Sequence, residues 1–174
     1  MKHPPTTHTP LYSDEERQRR DATPWTLVQG ILAPVQFLAF GISLVLVVRY
    51  LLTGHGEAAA TVSVVVKTVL LYTIMVTGCI WEKRVFGVYL FARSFFWEDV
   101  FSMLVLALHT AYLVCLATAA LPTRGLMWLA LAAYAAYVIN ATQFVLKLRA
   151  ARLDRGRSAQ LTGQTPMARA GASA

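Results

Sequence analysis

Three carboxyl groups and three cationic side chains are concentrated in one stretch, residues 81–99, with the sequence WEKRVFGVYLFARSFFWED. The acids are Glu82, Glu98 and Asp99, and the bases are Lys83, Arg84 and Arg93. Long apolar runs precede and follow this stretch, so Trp81 and Trp97 stand where the interfacial aromatic residues of a membrane hairpin lie. A carboxyl group at such a boundary is costly to keep charged and is expected to retain its proton. The pattern therefore predicts acid–base chemistry at the edge of a membrane.

The composition is typical of a membrane protein. Of the 174 residues, 56% are hydrophobic, and four runs approach or exceed the ~20 apolar residues that cross ~30 Å of hydrocarbon. We therefore predict an all-α, polytopic membrane protein, a four-helix bundle in one domain over about residues 25–149. Its spans are expected at about residues 25–52, 60–81, 99–121 and 126–148.

The segments outside these spans are polar. Residues 1–24 should form an N-terminal arm, disordered over 1–10, with a short interfacial helix near 14–21, because Ser13 and Glu16 fit a capping box. Residues 150–174 form a basic tail that we expect to be disordered. The central stretch is too short and too charged to be a span, so it should lie in the interface or re-enter the membrane.

The charge distribution predicts how the chain is oriented. The net charge is +7, and the basic residues flank the apolar runs. This placement suits the anionic cytoplasmic face of a membrane, whereas no basic groove with interleaved aromatics indicates nucleic-acid binding. Because Lys and Arg concentrate in both terminal segments and in the central stretch, we expect all three to face the cytoplasm.

Polar residues from all four predicted spans fall near the cytoplasmic end. They are Gln29 in the first span, Glu82 in the second, Glu98 and Asp99 in the third, and Asn140 and Gln143 in the fourth. Gln29, Gln36 and Ser43 are spaced by seven residues, so they share one face that should point into the bundle. The amides alone are explained as well by helix–helix hydrogen bonding. Carboxyl groups at the same depth favour a functional pocket instead.

Two ionisable residues lie deeper in the predicted spans. His109 follows Glu98 by about three turns, ~16 Å along the same face. It is either a residue hydrogen-bonded within the bundle, a proton relay, or an axial ligand to a pigment or haem metal. Lys67 either snorkels outward or pairs with a propionate, a carboxyl or a backbone carbonyl. Arg93, closer to the surface, is either solvated or holds a substrate carboxylate.

Several other chemistries lack their motifs. The sequence has no phosphate-cradling glycine loop, GxSxG, CxxC or HExxH motif, which disfavours nucleotide- or zinc-dependent reactions. Cys79 and Cys115 both fall inside apolar runs, where cysteine is usually a small packing residue.

The runs DATPWTLVQGILAPVQFL, ATVSVVVKTVLLYTIMVTGCIWEK and FFWEDVFSMLVLALHTAYL resemble the 3-vinyl bacteriochlorophyllide hydratases of purple phototrophic bacteria. The resemblance covers roughly residues 11–153. It implies a hydro-lyase that adds water to the C3 vinyl group of chlorophyllide a, giving a 3-(1-hydroxyethyl) product in bacteriochlorophyll a synthesis. It also implies a bacterial inner or photosynthetic membrane and no cofactor, since the only metal would be the Mg of the chlorin substrate. Lipid, possible oligomerisation and other enzymes of the pathway are the remaining expected partners.

Hydration of a vinyl group needs a neutral acid to protonate the terminal carbon and a polar group to position the attacking water. We expect Glu98 to be the acid, with Glu82 as the competing choice, and Asp99 to cap the third span or pair with a base. Gln29, Asn140 or Gln143 would hold the water. His109 would ligate the substrate Mg or relay a proton. The remaining substrate contacts are expected from Gln36, Trp81, Trp97, Lys67 and Arg93.

Two other functions would use a similar site. A non-enzymatic pigment carrier or assembly factor for photosynthetic complexes would need the apolar slot but no neutral acid. A small acid-coupled transporter would carry its essential carboxyl at mid-membrane, whereas Glu82, Glu98 and Asp99 lie at an edge.

Overall fold

The computed structural model describes residues 11–163. Over these residues the fold is all-helical, with five helices and no strand. They are α1 (Asp14–Ala22), α2 (Pro24–Thr53), α3 (Glu57–Phe86), α4 (Phe96–Ala117) and α5 (Thr123–Gly163). Four stretches are long and apolar enough to cross a membrane: α2, α3, α4 and the Thr123–Ala150 part of α5. The predicted all-α architecture with four spans is confirmed at this level.

The short N-terminal helix α1 begins with the predicted capping box. The Ser13 side chain accepts a hydrogen bond from the Glu16 N–H at 3.2 Å, and Glu16 Oε2 accepts from the Ser13 N–H at 2.8 Å. The two bonds satisfy donors that a helix start otherwise leaves free. The disorder that we predict for residues 1–10 concerns residues outside the described part of the chain.

Several helix boundaries differ from the sequence prediction by a few residues or more. The second span begins at Glu57, and the third begins at Phe96, because the aromatic residues before Asp99 already belong to the helix. The last helix continues to Gly163, where a disordered tail was expected from residue 150. Alanine, leucine and arginine are strong helix formers, so the helix propagates past the end of the apolar run. Residues 164–174 lie outside the described part.

The spans form two helical hairpins, α2 with α3 and α4 with α5, which pack against each other. Their main core contains Phe40, which contacts the rings of Tyr134 and Tyr137 at centroid distances of 5.4 and 5.0 Å. Ser43, one turn further along α2, bonds both Ser63 and Tyr134. The predicted inward face of α2 is therefore confirmed for Gln36 and Ser43, which are buried.

A second, smaller core closes one end of the bundle. Tyr12, Val85 and Phe95 are its buried members. The Tyr12 ring stacks on Phe86 at 5.7 Å, and Phe95 stacks on Phe144 at 5.9 Å. This aromatic cluster joins α1, the end of α3, the loop 87–95 and α5, so it fixes the loop that carries the site.

Candidate functional site

Glu82 and Asp99 form a buried carboxyl pair where α3 ends and α4 begins. Glu82 lies in the last two turns of α3 and Asp99 in the first turn of α4, and both are buried. Their side chains are in hydrogen-bond contact with each other. Two adjacent buried carboxyl groups are the arrangement in which enzymes share one proton between two acids.

The loop between the helices supplies backbone donors to both carboxyls. The Phe91 N–H donates to Asp99 Oδ2 at 2.7 Å, and the Ala92 N–H donates to Glu82 Oε2 at 3.3 Å. Phe91 adopts a φ of 60°, a left-handed conformation that is costly for a bulky residue. The loop backbone is thus shaped around the carboxyl pair.

Asp99 does not cap the third span as expected. The N-cap position is Phe95, which makes no side-chain capping bond, and Asp99 lies inside the first turn. Because the helix begins three residues before Asp99, its carboxyl points to the Phe91 N–H and to Glu82 instead.

Glu98, beside Asp99, has a different environment. Its Oε2 lies 2.7 Å from Lys147 Nζ, and the Lys147 ammonium is 5.0 Å from the centre of the Phe95 ring. The Glu98 carboxyl is thus engaged in a charge-assisted hydrogen bond rather than in the carboxyl pair. Sequence reasoning placed Lys147 in the basic flank and missed this contact, although Lys147 lies two turns after Asn140 on the same face of the helix.

A layer of buried amides lies next to the carboxyl pair. Asn140 Nδ2 donates to Ser102 Oγ at 2.9 Å, and Ser102 is one turn after Asp99 on α4. The Oδ1 atom of Asn140 and both polar atoms of the Gln36 side chain have no hydrogen-bond partner among the residues that the structure describes. Gln36 is only 2% exposed, and buried polar groups without partners usually bind water or a ligand.

Gln36 and Asn140 lie at the same level of the bundle. Phe40 of α2 contacts Tyr137 of α5. Ser43, one turn later in α2, contacts Tyr134, which lies one turn earlier in α5, so the two helices run antiparallel. One turn back along α2 reaches Gln36, and one turn on along α5 reaches Asn140. The two amides therefore face the interior one turn above the carboxyl pair.

The other predicted amides have mixed roles. Gln143 Oε1 has no partner in the protein. Gln29 Nε2 donates to Thr77 Oγ1 at 2.7 Å, which joins α2 to α3. Gln29 therefore acts as a helix–helix bond in this structure, while Gln143 retains a free acceptor.

Lys67 and His109 form a separate buried pair in the other half of the bundle. Lys67 Nζ lies 2.8 Å from His109 Nε2, and His109 Nδ1 donates to the Val105 carbonyl at 2.8 Å. Both side chains are fully buried, so the prediction that Lys67 snorkels outward is wrong. The pairing of Lys67 with a histidine was missed, because sequence alone does not show which faces of α3 and α4 meet.

The three remaining predicted residues lie at the edges of the site. Trp81 donates from Nε1 to Thr26 Oγ1 at 2.9 Å and is half-buried. Trp97 is 67% exposed, and Arg93 is exposed on the loop. A shallow apolar groove along Leu44, Val48 and Leu52 of α2 lies at the opposite end of the bundle, away from every carboxyl described above.

The residues that the structure describes contain no cluster of three or more His, Cys, Asp or Glu side chains suited to a metal ion. The groups that meet are a buried carboxyl pair, an ion pair and amides with unpaired polar atoms. Together these can deliver a proton, take one back and hold a water molecule in a dry interior.

Comparison with known proteins identifies close relatives. Residues 12–150 match the family model described as 2-vinyl bacteriochlorophyllide hydratase. The protein of that name from Rhodobacter capsulatus is 71% identical over 144 residues, which cover 83% of this chain and 84% of the relative. The protein of that name from Cereibacter sphaeroides is 68% identical over 152 residues, covering 87% of this chain and 94% of the relative. No solved structure matches the chain.

Proposed function

The chain belongs to the 2-vinyl bacteriochlorophyllide hydratase family, and we propose that it hydrates the C3 vinyl group of chlorophyllide a to the 3-(1-hydroxyethyl) product. The enzyme is a hydratase, a carbon–oxygen lyase of bacteriochlorophyll synthesis. The observation that supports the chemistry is the buried carboxyl pair, Glu82 with Asp99.

The carboxyl pair supplies the proton. The shorter loop hydrogen bond is to Asp99, at 2.7 Å against 3.3 Å for Glu82. Donors to a carboxylate stabilise its charged form, so the proton resides on Glu82. Glu82 is therefore the general acid and Asp99 its charged partner. This assignment differs from the first choice made from sequence, because Glu98 is engaged in an ion pair with Lys147.

The carboxyl pair both supplies the proton of the reaction and takes one back. Glu82 transfers its proton to the terminal vinyl carbon, and the resulting cation is delocalised into the macrocycle. Water held by Gln36 and Asn140 attacks the carbon next to the ring, forming the C–O bond. The proton that this water loses returns to the carboxyl pair, which restores the starting state without a redox cofactor.

The water is held by the unpaired atoms of these amides: both polar atoms of Gln36 and the Oδ1 atom of Asn140. Asn140 is oriented by the bond from its Nδ2 to Ser102 Oγ. An acceptor oriented in this way aligns a water O–H and leaves a lone pair for attack. Gln143, with its free Oε1, lies one turn closer to Lys147 and extends the same polar face.

The site lies at the cytoplasmic end of the bundle in a bacterial inner or photosynthetic membrane. The counts of Lys and Arg support this orientation, with both termini and the loop 87–95 inside. The apolar macrocycle reaches the site from the bilayer between the two hairpins, which pack less extensively on each other than their helices do internally.

A product assay tests the function. Membranes containing the full chain are incubated with chlorophyllide a, and pigments are separated and analysed by mass. We expect a product heavier by one water that carries a hydroxyethyl group. Pigment that binds and is recovered unchanged would instead indicate a carrier.

A further inference from the structure

Lys67 is a buried cation that the proposed hydration step does not use. Its Nζ lies 2.8 Å from His109 Nε2, 4.1 Å from the centre of the Tyr137 ring and 5.5 Å from that of Tyr134. Among the residues that the structure describes, no carboxylate forms an ion pair with it. A buried ammonium without an anion is strongly destabilising, so such groups inside membrane proteins usually bind a ligand or carry function.

His109 orients this ammonium without neutralising it. Because His109 Nδ1 donates to the Val105 carbonyl, the Nε2 atom carries the lone pair and accepts from Lys67. The neutral imidazole therefore fixes the direction of the Lys67 side chain. Lys67 Nζ makes no other hydrogen bond to the described residues, so its remaining N–H groups are available to an anion.

The surroundings of Lys67 are aromatic. Phe40, Tyr134 and Tyr137 contact one another, and the His109 ring lies 5.9 Å from Tyr134. Rings of this kind pack well against a flat conjugated ligand. The anion that best fits the surroundings of Lys67 is therefore one attached to a flat conjugated ligand.

His109, which contacts Lys67, lies on the same face of α4 as Asp99. Asp99, Ser102, Val105 and His109 are buried positions on the same face of this helix. Ten residues separate Asp99 from His109, which is about 15 Å along the axis. This separation is comparable to the reach of a chlorin from its vinyl group to an extended propionate on the far side of the ring.

We propose that Lys67, held by His109, binds the propionate carboxylate of the chlorophyllide substrate and so places its vinyl group at the Glu82–Asp99 pair. The proposal rests on the proposed function. It makes the free carboxylate of the pigment a specificity determinant and gives His109 a positioning role.

Comparing the affinities of two pigments tests whether Lys67 binds the propionate. The full chain in lipid nanodiscs is titrated with chlorophyllide a and with its propionate methyl ester, following quenching of pigment fluorescence. The wild type should bind the ester about 30-fold or more weakly than the acid, as expected when a buried charge loses its partner. In Lys67→Met this acid/ester ratio should fall to about one, and in Lys67→Arg it should be largely retained.

The acid/ester affinity ratio is measured within each variant, so a change in the overall stability of a variant does not change this ratio. A wild-type ratio near one overturns the proposal even if the methionine variant fails to fold. A ratio in Lys67→Met equal to that of the wild type also overturns it. If the wild type binds chlorophyllide a more tightly than the methyl ester but hydrates neither pigment, the proposed role of Lys67 stands and the hydratase function fails.

Discussion

The carboxyl groups of Glu82 and Asp99 contact each other across the junction of α3 and α4, and the loop between them donates a backbone N–H to each. One proton shared by two buried acids is a simple way to keep a carboxyl neutral at the edge of a membrane. The neighbouring acid, Glu98, forms an ion pair with Lys147 instead.

Replacing Glu82 by glutamine should nearly abolish hydration. The substitution removes the transferable proton while keeping the shape of the side chain, so kcat should fall about 10²–10⁴-fold, the usual contribution of a general acid. Product formation from chlorophyllide a by chromatography and mass spectrometry measures this.

Glu98→Gln is the matched control, because it changes an adjacent buried acid that is engaged in an ion pair with Lys147. Its kcat should fall less than about tenfold. A fully active Glu82→Gln with an inactive Glu98→Gln would return the acid role to Glu98. Two active variants would exclude a carboxylic acid mechanism.

Gln36→Leu should separate stability from activity. Neither polar atom of the Gln36 side chain has a partner in the protein, and an unpaired buried amide costs about 1–3 kcal/mol. We therefore expect an unchanged or higher Tm together with a lower kcat, since the water loses its donor and acceptor. Gln29→Leu, which breaks the bond to Thr77, should lower Tm instead. A fall in Tm with normal activity in Gln36→Leu would show that this amide is structural.

The fold was largely predictable because the hydrocarbon layer sets one requirement for the whole chain. Four apolar runs must become helices to satisfy their backbone groups, whatever their neighbours are. Helix ends were less predictable, since they depend on local aromatic packing. Phe96 and Trp97 read as part of a loop in sequence, but they belong to the first turn of α4.

The site was predictable only as a collection of residues. Depth along each span brought Glu82, Glu98 and Asp99 to one end, and the structure places them there. Their partners depend on helix rotation and on the left-handed backbone at Phe91, which no local pattern indicates. The contact between Lys147 and Glu98 also depends on helix rotation. In the sequence, Lys147 is one of several basic residues at the end of a span.

The ion pair between Glu98 and Lys147 should stabilise the end of the bundle that carries the carboxyl pair. Glu98 is buried but the Lys147 side chain is 28% exposed, so Lys147→Met should cost about 1–3 kcal/mol, between the values for surface and buried pairs. Thermal unfolding in detergent measures it. The exchanged double variant, Glu98→Lys with Lys147→Glu, should recover part of the loss. A Tm for Lys147→Met equal to that of the wild type would show that the pair contributes no stability.

His109→Ala should leave the Soret position of bound chlorophyllide unchanged. Both ring nitrogens are already engaged, Nδ1 with the Val105 carbonyl and Nε2 with Lys67, so His109 has no free lone pair for Mg. The affinity should fall, because Lys67 loses the group that orients it. Absorption spectra of the pigment bound to wild type and variant provide the measurement. A shifted Soret band in His109→Ala would instead identify His109 as the axial ligand.

Tyr12→Ala should loosen the loop that supports the carboxyl pair. The Tyr12 ring is buried against Phe86 and Phe95, and truncating a buried aromatic residue costs about 3–5 kcal/mol. Hydrogen exchange should accelerate in residues 11–22 and 87–95, while the centres of the spans keep their protection. Hydration should slow as well, since the N–H groups of the loop no longer hold Asp99 and Glu82 in place. Gln18→Ala, an exposed change in the helix α1 that follows Tyr12, should alter neither quantity. Unchanged exchange over residues 87–95 in Tyr12→Ala would mean that the loop holds its shape without the N-terminal arm.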